Sequence, residues 1–373
     1  MALRIAFNGQ RLAGQRLGVG RYIEYMLRHW ARQVQEEEVT VFVRRPLEED
    51  LRSLHPNVRT VLLESRMSGI PWENLRLPRA AATHDVLFCP AYSGPVSYAG
   101  RTVVATHSVN ETVPGLHTWS YRQTYARLFR HCAQRATRVI VPSMAIRDAV
   151  IEHYQVPMER VAIIPQGADD AFRPVSDDGE KRAVRERYFG GDRPYLLFVG
   201  KANTRRNIPM LVRAFAELRQ AHGIPHGLLL FGPQTDGLPL SDLCRELGVS
   251  DDVVQTDGRI ERHTDLVPIY SAADVFVHPS EQEGWSITTV EAMACGIPVV
   301  AADRGGLGEV ARGHALMMAT PSVDALVDAI KRVLEDDVLR ADLSRRSLER
   351  GRALSWSNIT RDTLRVVREA AAA

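Results

Sequence analysis

The chain has 373 residues, a quarter of them charged, and a formal net charge of +2; this is more than one hydrophobic core usually organises, so two domains with a cleft between them are expected. A balance so close to neutral argues against nucleic acid as a partner and makes any basic function local. The cysteines, Cys89, Cys132, Cys244 and Cys295, are widely separated and form no CxxC pair, which suggests neither a zinc site nor a disulfide framework and fits a reducing cytoplasm.

The N-terminal MALRIAFNG has one arginine and an apolar run too short for a secretory signal, and it reads as a first strand. No apolar stretch approaches the ~18 residues needed to span a bilayer. The protein is therefore expected to be cytoplasmic, either soluble or resting on the inner face of the membrane. After the first strand, GQRLAGQRLGVGRYIEYMLRHW offers Gly14, Gly18 and Gly20 ahead of a helix predicted from Tyr22. Such a loop lets backbone amides approach a bound group closely. It is a poor dinucleotide fingerprint, because no third glycine stands at the required place.

Short apolar runs continue with VTVFV, DVLFCP, RTVVATH, RVIVPS and VAIIPQG, and later with YLLFVG, GLLLFG, DVVQTDG, DVFVHPS and PVVAAD. Strands with little alternation, separated by helix-length connections, indicate parallel sheets buried on both faces. The predicted fold class is α/β, with two Rossmann-like, doubly wound parallel-sheet domains. In RTVVATHSVN, His107 stands just past a strand end, either as a structural hydrogen-bonding residue or as a catalytic one. HTWSYRQTYARLFRHCAQRATR carries Arg122, Arg127, Arg130, Arg135 and Arg138 with no acid. Its apolar residues Tyr121, Tyr125, Leu128, Phe129, Cys132 and Ala136 follow helical spacing. The reading is a core-facing helix over 117–138 whose basic face is either solvated or adsorbed to an anionic membrane surface.

Composition turns from apolar to charged after Phe172-Arg173-Pro174, which places the domain boundary there: 1–174 and 175–355. The final segment, 356–373, reads as a helix with Ile359, Thr363, Val366 and Val367 on one face and Ser357 as its N-cap. In the second domain, YLLFVGKANTRRNIPMLVRAF is a strand, a cationic loop and a helix; Lys201 follows Gly200 at the strand end, and Arg205 and Arg206 precede the helix. Cations so placed either neutralise phosphates or solubilise a loop. Further on, HPSEQEGWSITTVEAMACGIPVV is a strand end, a loop and a helix from about Ser286 or Ile287 to Cys295, with Gly296 closing it. The helix start suits an anion. Glu283 before it and Glu291 inside it have a plainer alternative, as a dipole complement and a solvated surface group.

Taken together, PS-x-x-EG-x-x-x-x-x-x-EAMACGIPVV, with Glu283 and Glu291 in E-x7-E spacing, resembles the donor-site signature of retaining family 4 glycosyltransferases with the GT-B fold. LGVGRYI resembles that family's glycine-rich first loop, IPWENLRLP the WE-x-x-x-LP segment of its mannosyltransferase-like members, VGKANTRRNIPMLVRAF its phosphate-binding loop, and LSWSNITRDTL a C-terminal helix crossing back onto the first domain. The resemblance implies that Lys201 and Arg206 bind the donor diphosphate, Glu291 the ribose and Glu283 the sugar hydroxyls. By the same resemblance, backbone amides of Trp285, Ser286 and Ile287 hold sugar and phosphate, Arg259 and Ile260 border the base, and Gly18 and His107 face the transferred sugar. Three positions depart from the pattern: Ser286 replaces a glycine, Lys201 an arginine, and Ser108 the aspartate after the histidine, which leaves His107 without an acidic neighbour.

The function so implied is a metal-independent retaining hexosyltransferase, with GDP-mannose as a candidate donor and a glycan or lipid-linked saccharide of bacterial surface polysaccharide, such as lipopolysaccharide, as acceptor. No cofactor or metal is expected, since no D-x-D run ends a strand and the nucleotide sugar is itself the substrate. Two alternatives stay open: a UDP-sugar epimerase of the same fold, and a non-catalytic sugar-nucleotide-binding module.

Overall fold

The structure, a computed structural model, describes residues 2–12, 18–34, 36–47, 57–113, 118–235 and 237–373. Gly14 of the glycine loop lies outside the described residues. The chain divides into two compact units, Met1–Gln166 with Trp356–Ala373, and Gly167–Ser355. Residues 167–174 thus group with the second unit, ahead of the predicted boundary at Pro174. Ala168 bridges to Ser355 and donates its N–H to the Leu354 carbonyl, which ties this stretch to the end of that unit.

The first unit holds seven strands: β1 (Arg4–Asn8), β2 (Glu38–Val43), β3 (Val58–Leu62), β4 (Val86–Cys89), β5 (Thr102–Ala105), β6 (Arg138–Val141) and β7 (Val161–Ile163). All pair in parallel, in the order β3-β2-β1-β4-β5-β6-β7, with Ile5 in register with both Val39 and Val86. Successive side chains of β1 serve opposite faces: Ile5 and Phe7 join one apolar cluster, Ala6 the other. The first cluster is built around Trp30, whose ring meets Phe7 and Phe88 at centroid distances of 5.7 and 5.2 Å.

The C-terminal helix Trp356–Ala372 lies against the helix Val19–Gln33 of the same unit. Its predicted face, Ile359, Thr363, Val366 and Val367, is buried. Trp356 stacks on Tyr25 at 5.7 Å, and Trp30 Nε1 donates to the Thr360 carbonyl at 3.0 Å. Ser357 falls inside the first turn instead of capping it, because the helix already begins at Trp356.

The second unit holds β8 (Tyr195–Val199), β9 (Gly227–Phe231), β10 (Val253–Gln255), β11 (Val275–His278), β12 (Val299–Ala302) and β13 (Leu316–Met318), again all parallel, in the order β10-β9-β8-β11-β12-β13. Both sheets are doubly wound. The strands β3 and β13 were not expected from sequence; each lies at a sheet edge, where one flank is open and the apolar run is short or interrupted.

Candidate functional site

In the second unit the sheet order reverses between β8 and β11, and ligands of doubly wound sheets bind beyond the carboxyl ends of strands at such a point. Two loops emerge there. The one after β8 runs from Gly200 through Lys201 to Asn207; the one after β11 runs from Pro279 to Ser286 and enters the helix Ile287–Ala294.

The loops are laced to each other. Glu283 accepts from Arg206 Nη2 at 3.3 Å on Oε1 and from Arg205 Nη1 at 3.0 Å on Oε2. Asn207 Nδ2 donates to the Pro279 carbonyl at 2.9 Å, and the Glu281 N–H donates to the Arg205 carbonyl at 3.3 Å. The Glu283 side chain is 12% exposed. Burial by itself would raise its pKa, but Arg206, then His278 and Arg205, hold it below the usual carboxylate range. Arg206 is fixed from below as well, since its backbone N–H donates to Asn203 Oδ1 at 2.9 Å. Its Nε is buried with no partner among the described residues. Lys201 is exposed at the mouth of the same loop.

Ser286 is the N-cap of the helix Ile287–Ala294, its Oγ accepting from the Thr289 N–H at 3.3 Å. The hydroxyl also meets Thr289 Oγ1 at 2.8 Å and His278 Nδ1 at 3.0 Å, while His278 Nδ1 lies 2.9 Å from Thr289 Oγ1. Burial drives the His278 pKa down to about 4, so the ring is neutral at physiological pH. The serine that departs from the family pattern is therefore a cap on a buried hydroxyl–imidazole cluster, and it fixes the start of the helix. Trp285 is buried beside it and Ile287 half-buried.

Glu291 is 1% exposed, which excludes the solvated alternative. It accepts from the Tyr270 hydroxyl at 2.9 Å on Oε2 and faces His263 Nε2 at 3.1 Å on Oε1. A ribose hydroxyl reaching this carboxylate has to share or displace one of those partners. Arg259 lies apart on an exposed loop after β10, its side chain 85% exposed and paired with Asp257 at 3.1 Å; Ile260 beside it packs onto the core. The structure thus gathers Gly200, Lys201, Arg206, Glu283, Trp285, Ser286 and Ile287 at one sheet edge. Arg205 of the same cationic loop joins them, and Tyr270, His263 and His278 are added without having been expected from sequence. His278 carried a signal, a polar residue closing an apolar strand; Tyr270 and His263 meet Glu291 only through the tertiary fold.

Gly18 and His107 belong to the first unit. Gly18, at φ +49°, caps the helix Val19–Gln33, which begins a turn before the predicted Tyr22. His107 contacts the Pro90 carbonyl through Nε2 at 2.8 Å and Gln166 Nε2 through Nδ1 at 2.7 Å. The ring is therefore the Nε2–H tautomer, with Nδ1 accepting from the amide. Burial drives its pKa down to about 4. With both nitrogens engaged, His107 has no lone pair to offer as a base. The basic helix spans Trp119–Arg135, and Arg138 begins β6, where it pairs with Glu369. Arg122 turns inward to the carbonyls of Glu111 and Thr112, leaving Arg127, Arg130, Arg135 and Trp119 on the exposed side.

Fold and sequence together define the class. Residues 17–172 match the model of Glycosyltransferase Family 4, and residues 180–350 match that of Glycosyl transferases group 1. The chain therefore carries the two glycosyltransferase domains of a GT-B fold.

Among curated relatives, the D-inositol 3-phosphate glycosyltransferase of Saccharomonospora viridis is 34% identical over 249 residues, covering 64% of this chain and 57% of that protein. The O-antigen chain mannosyltransferase B of Escherichia coli is 28% identical, covering 73% of this chain and 72% of that protein. The chain spans 57% and 63% of the length of the first two inositol-phosphate relatives, the second from Corynebacterium aurimucosum. Of solved structures, sucrose-phosphate synthase from Thermosynechococcus elongatus superposes with a TM-score of 0.77 at 24% identity, covering 98% of each chain. Anabaena HepE in complex with UDP-glucose superposes with 0.78 at 17%, covering 98% of this chain and 100% of that one. At these identities the structures establish the fold alone. Among the described residues no helix is long and apolar enough to cross a membrane.

Proposed function

We propose that the chain is a retaining, metal-independent hexosyltransferase that takes a sugar from a nucleoside diphosphate. The carrying observation is the convergence, at the switch point of the second sheet, of Arg205, Arg206 and Lys201 with Glu283 and a helix start. Breaking the anomeric C–O bond builds negative charge on the diphosphate. Arg206, Lys201 and the first-turn amides are placed to stabilise it where it develops. In the proposed step the acceptor oxygen attacks the anomeric carbon on the face the phosphate leaves. The bond to the acceptor forms as the bond to phosphate breaks, and the departing phosphate oxygen takes the acceptor's proton.

Glu283 is assigned to the sugar hydroxyls and Glu291 to the ribose, with Arg259 and Ile260 bordering the base. His107 is assigned no proton transfer, in keeping with its occupied nitrogens. Mannosyl transfer to a bacterial surface glycan is supported by the O-antigen relative, and a phosphorylated polyol acceptor by the inositol-phosphate relatives. The exposed Trp119, Arg127, Arg130 and Arg135 are proposed to rest on anionic headgroups, each cation contributing about 1 kcal/mol near such a surface.

Thermal shift with UDP, GDP and their hexose conjugates tests the reading. A ligand at a hundred times its dissociation constant stabilises by about 2.7 kcal/mol. Absence of any shift with all of them sinks it. Acceptor-dependent release of the nucleoside diphosphate then separates transfer from mere binding and from epimerisation.

A further inference from the structure

The loop that leaves β12 and enters the helix Gly305–Ala311 has no part in the donor reading, yet it meets the chain at Glu283. β12 is the neighbour of β11, so the two loops leave the same sheet edge next to each other. The Gly306 N–H donates to the Glu283 carbonyl at 3.0 Å. Arg304 Nε stands 3.7 Å from Glu281 Oε2, while Glu281 Oε1 accepts from Asn207 Nδ2 at 3.3 Å. Glu281 thereby links the loop after β12 to the loop after β8.

The approach at Gly306 leaves no room for a side chain. A Cβ at this position would fall far inside contact distance of the Gly284 carbonyl oxygen, a backbone atom that cannot swing aside as the end of a side chain can. Gly305 has φ +49°, and a Cβ there would stand 3.0 Å from the Glu283 carbonyl oxygen. The loop itself is anchored. The Asp303 N–H donates to the Met318 carbonyl at 2.9 Å, Asp303 Oδ1 takes Arg312 Nη2 at 2.5 Å, and Leu307 is fully buried. A fixed loop thus bears on Glu283 and Gly284. Beyond Gly284 the chain is pinned by the Ser286 hydroxyl, which meets the Thr289 N–H and His278. A shift imposed at Gly284 is therefore passed back to Glu283.

The side-chain and main-chain ties of Glu283 respond differently to a ligand. Arg205 and Arg206 hold the carboxylate, and these are the groups that a diphosphate draws away. The bond from Gly306 uses no group proposed to touch the donor, so it persists when the guanidinium groups turn to phosphate.

We infer that Gly306, with Gly305, is a positioning residue: the loop after β12 braces the backbone of Glu283, so that its carboxylate keeps its place against the sugar hydroxyls once the arginines have passed to the diphosphate. The inference rests on the assignment of Glu283 to the sugar under the proposed function.

Calorimetry on the intact chain and its variants, with UDP, GDP, UDP-glucose and GDP-mannose, decides. Gly306→Ala is expected to weaken binding of the sugar-bearing nucleotide about 10-fold while the nucleoside diphosphate stays within about 3-fold, because the brace acts on Glu283 and leaves Arg206 in place. Combined with Glu283→Gln it is expected to add less than about 2-fold, since the carboxylate it acts through is gone. Gly305 is exposed, so its variant folds even if Gly306→Ala does not. Gly305→Ala is expected to show the same split at about 3-fold. Gly313, just past the end of the same helix, is the control: its φ is +82° and no described residue comes within 4 Å of a Cβ there. Gly313→Ala carries the backbone strain without the contact, and both kinds of ligand are expected to bind it as they bind the unaltered chain. If Gly305→Ala binds the nucleotide sugar as tightly as Gly313→Ala does, or if Gly306→Ala and Glu283→Gln are fully additive, the inference is overturned and the donor reading stands. Failure of every nucleotide to bind the unaltered chain removes the donor reading and the brace together.

Discussion

Glu283 takes Arg206 on one carboxylate oxygen and Arg205 on the other, at 3.3 and 3.0 Å, so the acid proposed for the sugar and the cations proposed for the phosphate are one another's partners. A bound diphosphate competes with Glu283 for these guanidinium groups, and a sugar hydroxyl competes with them for the carboxylate. Glu283→Gln separates the two effects because it keeps the shape and removes the charge. Binding of the nucleoside diphosphate is expected to stay within about 3-fold of the original, or to tighten, since the arginines are released. Binding of the nucleotide sugar is expected to weaken about 10-fold, the ~1.4 kcal/mol of a charge-assisted hydrogen bond. Calorimetry with both ligands measures the split, and equal losses for the two would refute the division of roles.

Much of this site was legible because its scaffold is apolar and continuous. The runs LLFV and VFVH are buried on both sides and announce β8 and β11, and the charges that follow them sit at strand ends by chain continuity alone. Strands β3 and β13 lack that signal because Arg59 and Thr60 interrupt the apolar run of the first and the second is only Leu316–Met318. The period of Ile359, Thr363, Val366 and Val367 gave away a buried helix face, but not that Trp356 would stack on Tyr25. Partners of Glu291 were hidden for the same reason: Tyr270 and His263 come to it from a helix and a turn that no local spacing connects to it.

His107 and His278 make stability depend on pH. His107 and His278 both have folded pKa values near 4, below the ordinary 6.5, because burial disfavours the charged ring. As the pH falls the unfolded chain takes up these protons first, so the stabilisation is complete above about pH 6.5 and is lost progressively between 6.5 and 4. Each ring contributes at most about 3 kcal/mol over that window. A fall in Tm from pH 7 to pH 5 is expected. His278→Asn, whose Oδ1 stands where Nδ1 stood, should make that fall smaller while costing some stability at pH 7. An unchanged pH slope in the variant would mean that His278 is not held neutral.

Gly200 joins β8 to the cationic loop at φ +142°, a backbone conformation that side-chain-bearing residues rarely adopt. A methyl group there also runs into the Arg206 guanidinium, so that side chain has to shift to admit it. Gly223 is the natural control: it has φ +64° and open space where its Cβ would stand. Gly223→Ala is expected to cost about 1 kcal/mol through backbone strain alone and to leave nucleotide affinity unchanged. Gly200→Ala is expected to cost about 1–3 kcal/mol and, by displacing Arg206 from the phosphate position, to weaken binding of the nucleoside diphosphate about 10-fold. Urea denaturation and calorimetry on the two variants give both numbers. If Gly200→Ala loses stability yet binds the nucleotide as tightly as Gly223→Ala does, Arg206 is not a phosphate ligand, and the task passes to Lys201 and Arg205.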